Sequence, residues 1–150
     1  NFTALTRMEA EIIRMVINLY NGDMHCCGIG TSGGTESIIL AMLAYREQAR
    51  EERGVKKPNM VMSHTAHAGF DKAAFYLNIE LRKVYQTKDL KVDLRAIERN
   101  IDSNTICVAG SGPDYPFGNF DPLPQIAALA QKYGIGCHSD CCLGSFTNAF

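Results

Sequence analysis

The sequence predicts an α/β fold in which a mostly parallel sheet is covered by helices on both faces. Three observations lead there. Short apolar runs alternate with longer segments whose apolar residues recur every three or four positions, which is the pattern of strands alternating with helices. One of the runs, "TICVAGS", is continuously apolar or small and rich in β-branched residues, as a strand buried on both faces should be. Polar clusters fall directly after the predicted strands, where ligands of such sheets gather.

The elements follow in order. Over 5–20, Met8, Ile12, Met15, Val16 and Leu19 make one apolar face of a helix, and Asn21-Gly22 ends it. A glycine-rich loop leads into a second helix over 35–53, with Ile38, Ala41, Met42, Tyr45 and Ala49 inward and Gly54 as its stop. "MVMS" is a short strand, and "HTAHAGFDKAAFYL" after it turns helical. "ELRKVYQ" is a second strand, and Asp93 caps the helix "LRAIERNI". After "TICVAGS" comes a loop, "GPDYPFGNFDP", stiffened by three prolines. The helix "PQIAALAQKYG" ends at its glycine, and "IGCHSD" is the last strand. No internal repeat, low-complexity segment or domain linker interrupts this series.

Bulk composition narrows the function classes. A chain of 150 residues, 46% hydrophobic, suits one globular domain or a piece of a larger one. Fifteen basic residues oppose sixteen acidic ones, and no basic stretch is dense enough for a nucleic-acid surface. The longest apolar run, 38–44, is far too short to span a bilayer, which takes about 20 residues. The chain opens on Asn1 and stops at "GSFTNAF", so a fragment is expected. Six cysteines in a chain with ample core residues are expected to be reduced thiols rather than a disulfide scaffold.

The motifs concern anions and rings. "GIGTSGGTES" places four glycines and four hydroxyl residues at a helix entrance. Such an N-terminus offers free N–H groups and the positive end of the helix dipole, and so binds phosphate. No lysine follows, so this is not the loop of nucleotide hydrolases, and no strand leads tightly into it as a dinucleotide fingerprint requires. Alone it reads equally well as a helix capped by Thr35 with Ser37 nearby. His64 reads as a core histidine, whereas His67 sits where a strand hands over to a helix and can stack on an aromatic ring. Lys72 reads as an exposed helix lysine. Asp140 ends the last strand among apolar and small residues, where a carboxylate needs a cation or hydrogen bonds. A phosphate cradle, a stacking imidazole and a carboxylate for a protonated ring nitrogen are the needs of pyridoxal 5′-phosphate.

"TSGGTES", "AHAGFDKAA", "GSGPDYPFGNFDP" and "CHSDCCLGSF" resemble, in order and spacing, motifs of the group II pyridoxal-phosphate-dependent decarboxylase family of fold type I. The likeness is to its branch of lyases acting on phosphorylated sphingoid bases, and "RMEAEIIRMVINLYNG" fits it too. The resemblance implies that residues 1–150 are the first part of the large cofactor-binding domain. It implies that Gly34 and Thr35 hold the cofactor phosphate, His67 stacks on the ring and Asp140 pairs with the ring nitrogen. Ser111 would line the site near the ring substituents and Cys142 would lie beneath the ring. His67 and Asp140 are the implied catalytic pair. The sequence departs from the family at Ser139, where valine is usual, and at Ser145, where glycine is usual; the polar Ser139 raises a question about packing beneath Asp140. The Schiff-base lysine belongs to a later segment, and none of Lys56, Lys57, Lys72, Lys83, Lys88, Lys91 and Lys132 has its context.

By the same resemblance the expected activity is carbon–carbon cleavage of a phosphorylated long-chain base to a fatty aldehyde and phosphoethanolamine. The expected form is a homodimer that faces the cytosol. Eukaryotic members are anchored in the endoplasmic reticulum membrane by segments absent here. Three rival readings stand beside it. Amino-acid α-decarboxylation uses the same cofactor bed. "MHCC" and "CHSDCC" have zinc-binding chemistry but poor spacing. A non-catalytic relative would keep the fold alone.

Overall fold

The computed structural model describes residues 2–150. Its elements are α1 (Thr3–Leu19), α2 (Gly34–Arg53), β1 (Asn59–Ser63), α3 (Gly69–Leu77), β2 (Glu80–Val84), α4 (Leu94–Arg99), β3 (Thr105–Ser111), α5 (Leu123–Tyr133) and β4 (Gly136–Asp140). A 3-10 turn, Ser145–Ala149, which the sequence pattern does not foretell, closes the chain. The four strands are all parallel, in the order β2-β1-β3-β4.

Side-chain alternation along the strands makes two cores. Met60, Met62, Cys107 and Ala109 face α2 and α3, where they meet Ile38, Met42, Phe70 and Ala73. Val61, Val84 and Val108 face the other way, toward Ile97 of α4 and Ile126 and Ala130 of α5. Helices therefore cover both faces, as the sequence predicts. Each fully buried large side chain contributes about 1.5–3 kcal/mol. Replacing Phe70, whose ring is wholly enclosed, by alanine would cost about 3–5 kcal/mol through the cavity left behind.

Local signals set the ends. The Asp93 carboxylate accepts from the N–H groups of Arg95 and Ala96 at 2.9 and 3.2 Å, so it caps α4 as expected. Gly54 and Gly134 close α2 and α5 in left-handed conformations.

Helix α1 is amphipathic as predicted, but none of its residues is fully buried, and Ile13, Val16, Ile17 and Leu19 are only partly covered. Leu5, Met8, Ile12 and Met15 remain exposed. The helix is tied to the glycine-rich loop by Glu9, which accepts from the Gly30 N–H at 3.1 Å. Between them lies an open groove of about 880 Å³. At the C-terminal end of α1, the Tyr20 hydroxyl donates to the Ser145 carbonyl. Among the described residues no helix is long and apolar enough to cross a membrane.

Candidate active site

Strand β2 lies on one side of β1 and β3 on the other, so the chain changes direction between β1 and β3. In open parallel sheets the carboxyl edge at such a point is where ligands gather. Four pieces reach this edge: the N-terminus of α2, the turn before α3, the loop after β3 and the segment after β4.

The glycine loop leaves α2 open. Its N-cap is Gly33, at φ 157° and ψ 175°, a region that in practice only glycine occupies, and no side chain caps the helix. The first N–H to find a helical acceptor is that of Ser37, on the Gly33 carbonyl at 3.1 Å. The N–H groups of Gly34, Thr35 and Glu36 precede it and have no helical partner. Most hydroxyls of the loop are spent internally. Thr31 and Ser37 bond each other at 2.7 Å, and Ser32 donates its hydroxyl and N–H to Glu36 at 2.5 and 2.6 Å. Those two bonds hold the Glu36 carboxyl below its ordinary pKa. Thr35, which the alternative reading of the loop makes a cap, does not cap the helix; it is exposed on the first turn with its hydroxyl free among the described residues. A Cβ on Gly34 would stand 3.2 Å from the Cys142 sulfur, so the α2 N-terminus and the segment after β4 meet there.

His67 occupies the turn between β1 and α3. Its Nδ1 accepts from the Gly69 N–H at 2.9 Å, which places the proton of the neutral ring on Nε2. Tyr115 approaches the imidazole edge-on, with ring centroids 5.8 Å apart and planes at 68°. His64 is not a core histidine: it is exposed and packs against Tyr85, centroids 4.8 Å apart. The histidine packed toward the core is His138, half-buried with the Tyr45 and Phe70 rings near-perpendicular to it, and this desolvation pushes its pKa down.

Ser111 and Asp140 are register partners on β3 and β4. By alternation they share the face of Cys107 and Ala109, beneath α2 and α3. Asp140 Oδ1 accepts from the Cys142 N–H at 3.2 Å, and the second carboxylate oxygen has no partner among the described residues. Ser139 points to the opposite face and is exposed, so it does not pack beneath Asp140. Ser145 adopts φ 42°, a left-handed conformation that explains why glycine suits that position. No hydrogen bond links Thr35, His67 and Asp140 to one another among the described residues.

Sequence reading passed over two residues. Asp114 and Asp121, both buried, frame the loop after β3. Asp114 accepts from Phe117 and Asn119 N–H groups at 3.3 and 3.0 Å, and Asp121 from Ser111 and Val92 at 2.9 and 3.2 Å. Burial raises the Asp121 pKa against the pull of those N–H groups. Their signal was present in "PD" and "DP", since aspartate beside proline favours turns bonded to the backbone.

The lysines engage elsewhere where they engage at all. Lys72 lies over the Tyr76 ring at 5.2 Å, Lys83 pairs with Asp71 at 2.6 Å and Lys132 with Glu98 at 2.6 Å. All six cysteines are free. Among the described residues no group of three His, Cys, Asp or Glu side chains is arranged to hold a metal, so the zinc reading finds no cluster.

A parallel α/β sheet with an open helix N-terminus, an imidazole and a carboxylate along its carboxyl edge is the frame of a fold-type I pyridoxal-phosphate enzyme. The sequence matches the pyridoxal-dependent decarboxylase conserved domain over residues 1–147. The chain belongs to that family. It is 47% identical over 149 residues to sphingosine-1-phosphate lyase of Drosophila melanogaster, covering 99% of this chain and 27% of that protein. The Saccharomyces cerevisiae sphingosine-1-phosphate lyase is 42% identical over 151 residues, covering 99% and 26%. The solved sphingosine-1-phosphate lyase of Burkholderia pseudomallei superposes with a TM-score of 0.91 at 36% identity, over 95% of this chain and 35% of that one. Glutamate decarboxylase of Lactobacillus brevis, at TM-score 0.78 and 21% identity over 92% and 35%, shares the fold. The chain thus spans about a quarter of the length of the curated relatives it matches.

Proposed function

We propose that this chain forms the cofactor bed of a pyridoxal-phosphate-dependent lyase that cleaves a phosphorylated sphingoid base to a fatty aldehyde and phosphoethanolamine. The observation that carries the reading is the meeting of the open α2 N-terminus with the segment that follows Asp140, at Gly34 and Cys142. The lyase names of the relatives support the substrate class.

The residues fit the cofactor. The free N–H groups of the first turn of α2 and the Thr35 hydroxyl would take its phosphate, with Gly33 and Gly34 leaving room for close approach. Asp140 would direct its unused oxygen at the ring nitrogen and keep a proton there. His67, held by the Gly69 N–H, would cover one face of the ring, and Cys142 would lie beneath the other. Ser111, beside Asp140, would meet the ring substituents. The bound cofactor supplies an electron sink for the carbanion left when the bond between C2 and C3 breaks. By holding a proton at the ring nitrogen, Asp140 would be the residue on which turnover depends most. A homodimer completes the proposal, by analogy with the family.

The test is an assay of the full-length protein with pyridoxal phosphate and a phosphorylated sphingoid base. Release of a long-chain aldehyde without carbon dioxide release from amino acids supports the lyase. Carbon dioxide release alone would assign amino-acid decarboxylation instead.

A further inference from the structure

The loop after β3 is held by unusual means. Asp114 and Asp121 are buried and neither is paired with a cation among the described residues; each is satisfied by backbone N–H groups. Burying two carboxylates is costly unless each is well bonded, so the loop owes its shape to specific hydrogen bonds rather than to apolar packing. Asp114 adds two backbone links, its own N–H to the Asn119 carbonyl at 2.8 Å and its carbonyl to the Gly118 N–H at 3.0 Å.

What this frame presents is Tyr115. The residue adjoins Asp114, is 61% exposed, and its hydroxyl has no hydrogen-bond partner among the described residues. Its one aromatic partner is His67, at a separation and tilt within the favourable range for edge-to-face pairs. The hydrogen bond to Gly69 fixes one edge of the imidazole but leaves its tilt free. An aromatic edge on a rigid loop removes that freedom.

We infer that Tyr115 is a positioning residue: laid against His67 by the two-aspartate frame, its ring sets the imidazole plane on which the cofactor ring rests. The inference depends on the cofactor role proposed for His67 above. The contact is made by the ring, not the hydroxyl, so Tyr115→Phe preserves it and Tyr115→Ala removes it.

The experiment is a double-mutant cycle in the full-length protein, read by absorbance titration of the apoprotein with pyridoxal phosphate. Tyr115→Ala is expected to weaken cofactor binding about three- to tenfold, and Tyr115→Phe by less than about twofold. In a His67→Ala background, Tyr115→Ala is expected to add nothing, because its effect passes through the imidazole. Equal weakening in both backgrounds, or none in either, would overturn the inference. Unchanged affinity on His67→Ala alone would remove the cofactor role of His67 itself and the inference with it. Tyr115→Leu, which keeps an apolar side chain on the loop, carries the same expectation should the alanine variant not fold.

Discussion

Ser111 and Asp140 stand side by side at the carboxyl ends of β3 and β4, on the face that α2 and α3 cover. Neither strand alone creates a site. Their register brings two polar side chains from distant parts of the chain to one point of the sheet edge.

Asp140→Asn should leave the fold intact, because the carboxylate makes one hydrogen bond, to the Cys142 N–H, which an amide oxygen can also accept. Turnover of the full-length enzyme should fall about a hundredfold or more as the ring proton loses its anionic partner. Steady-state kinetics beside a circular dichroism spectrum checks both halves, and parental activity in the variant would remove Asp140 from the mechanism.

Thr35→Ala removes a hydroxyl that no other group in the loop uses. If it donates to the cofactor phosphate, a charge-assisted bond worth about 1.5–3 kcal/mol is lost and affinity falls about ten- to a hundredfold. Titration of the apoprotein measures this; an unchanged dissociation constant would leave Thr35 as an ordinary first-turn residue.

Replacement of His67 separates stacking from hydrogen bonding. Phenylalanine keeps a flat ring but cannot accept from Gly69, so His67→Phe should cost about 1 kcal/mol of stability while binding the cofactor better than His67→Ala. Equal loss of affinity in the two variants would contradict a stacking role.

Acid stability should depend on Asp102. Burial opposes its ionisation, but hydrogen bonds from Asn59, Arg82 and Asn104 and the Arg82 charge outweigh it and bring the pKa down to about 2. Since the folded value is the lower one, the stabilisation is present above the unfolded value of about 3.9 and is lost as pH falls through about 2. Denaturant midpoints taken between those limits should decline in the parent and decline less in Asp102→Asn.

Ser145 bears a left-handed backbone with a side chain attached. Ser145→Gly should relieve that strain and, after the greater freedom of glycine in the unfolded chain, raise stability by about 0.5–1 kcal/mol. A lower thermal midpoint would show that the serine has a compensating contact.

Most of the architecture was legible because it is written in local periodicity. The continuous apolar runs "MVMS" and "TICVAGS" become β1 and β3, and the stripe at Ile38, Met42 and Ala49 becomes the buried face of α2. Roles that depend on three-dimensional neighbours were harder. His64 reads as a core residue from its neighbours along the chain, but the turn after β1 carries it outward onto Tyr85, while His67 three residues on meets Tyr115. Thr35 and Ser37 both offer a hydroxyl to the start of α2, yet no side chain caps it, because Ser37 is bonded to Thr31 and the N-cap position falls to Gly33. Asp114 and Asp121 escaped notice because their partners are backbone groups of a loop that has no periodicity.

The approach of Gly34 to Cys142 joins the start of α2, ahead of every strand, to the segment after the last of them. It therefore imposes an order on biosynthesis. The α2 N-terminus is made before any strand, but Cys142 is placed against it only after β1, β3 and β4 have paired, and parallel pairings across long connections form slowly. If this helix end takes the cofactor phosphate, as proposed above, cofactor capture follows completion of the sheet and cannot guide it.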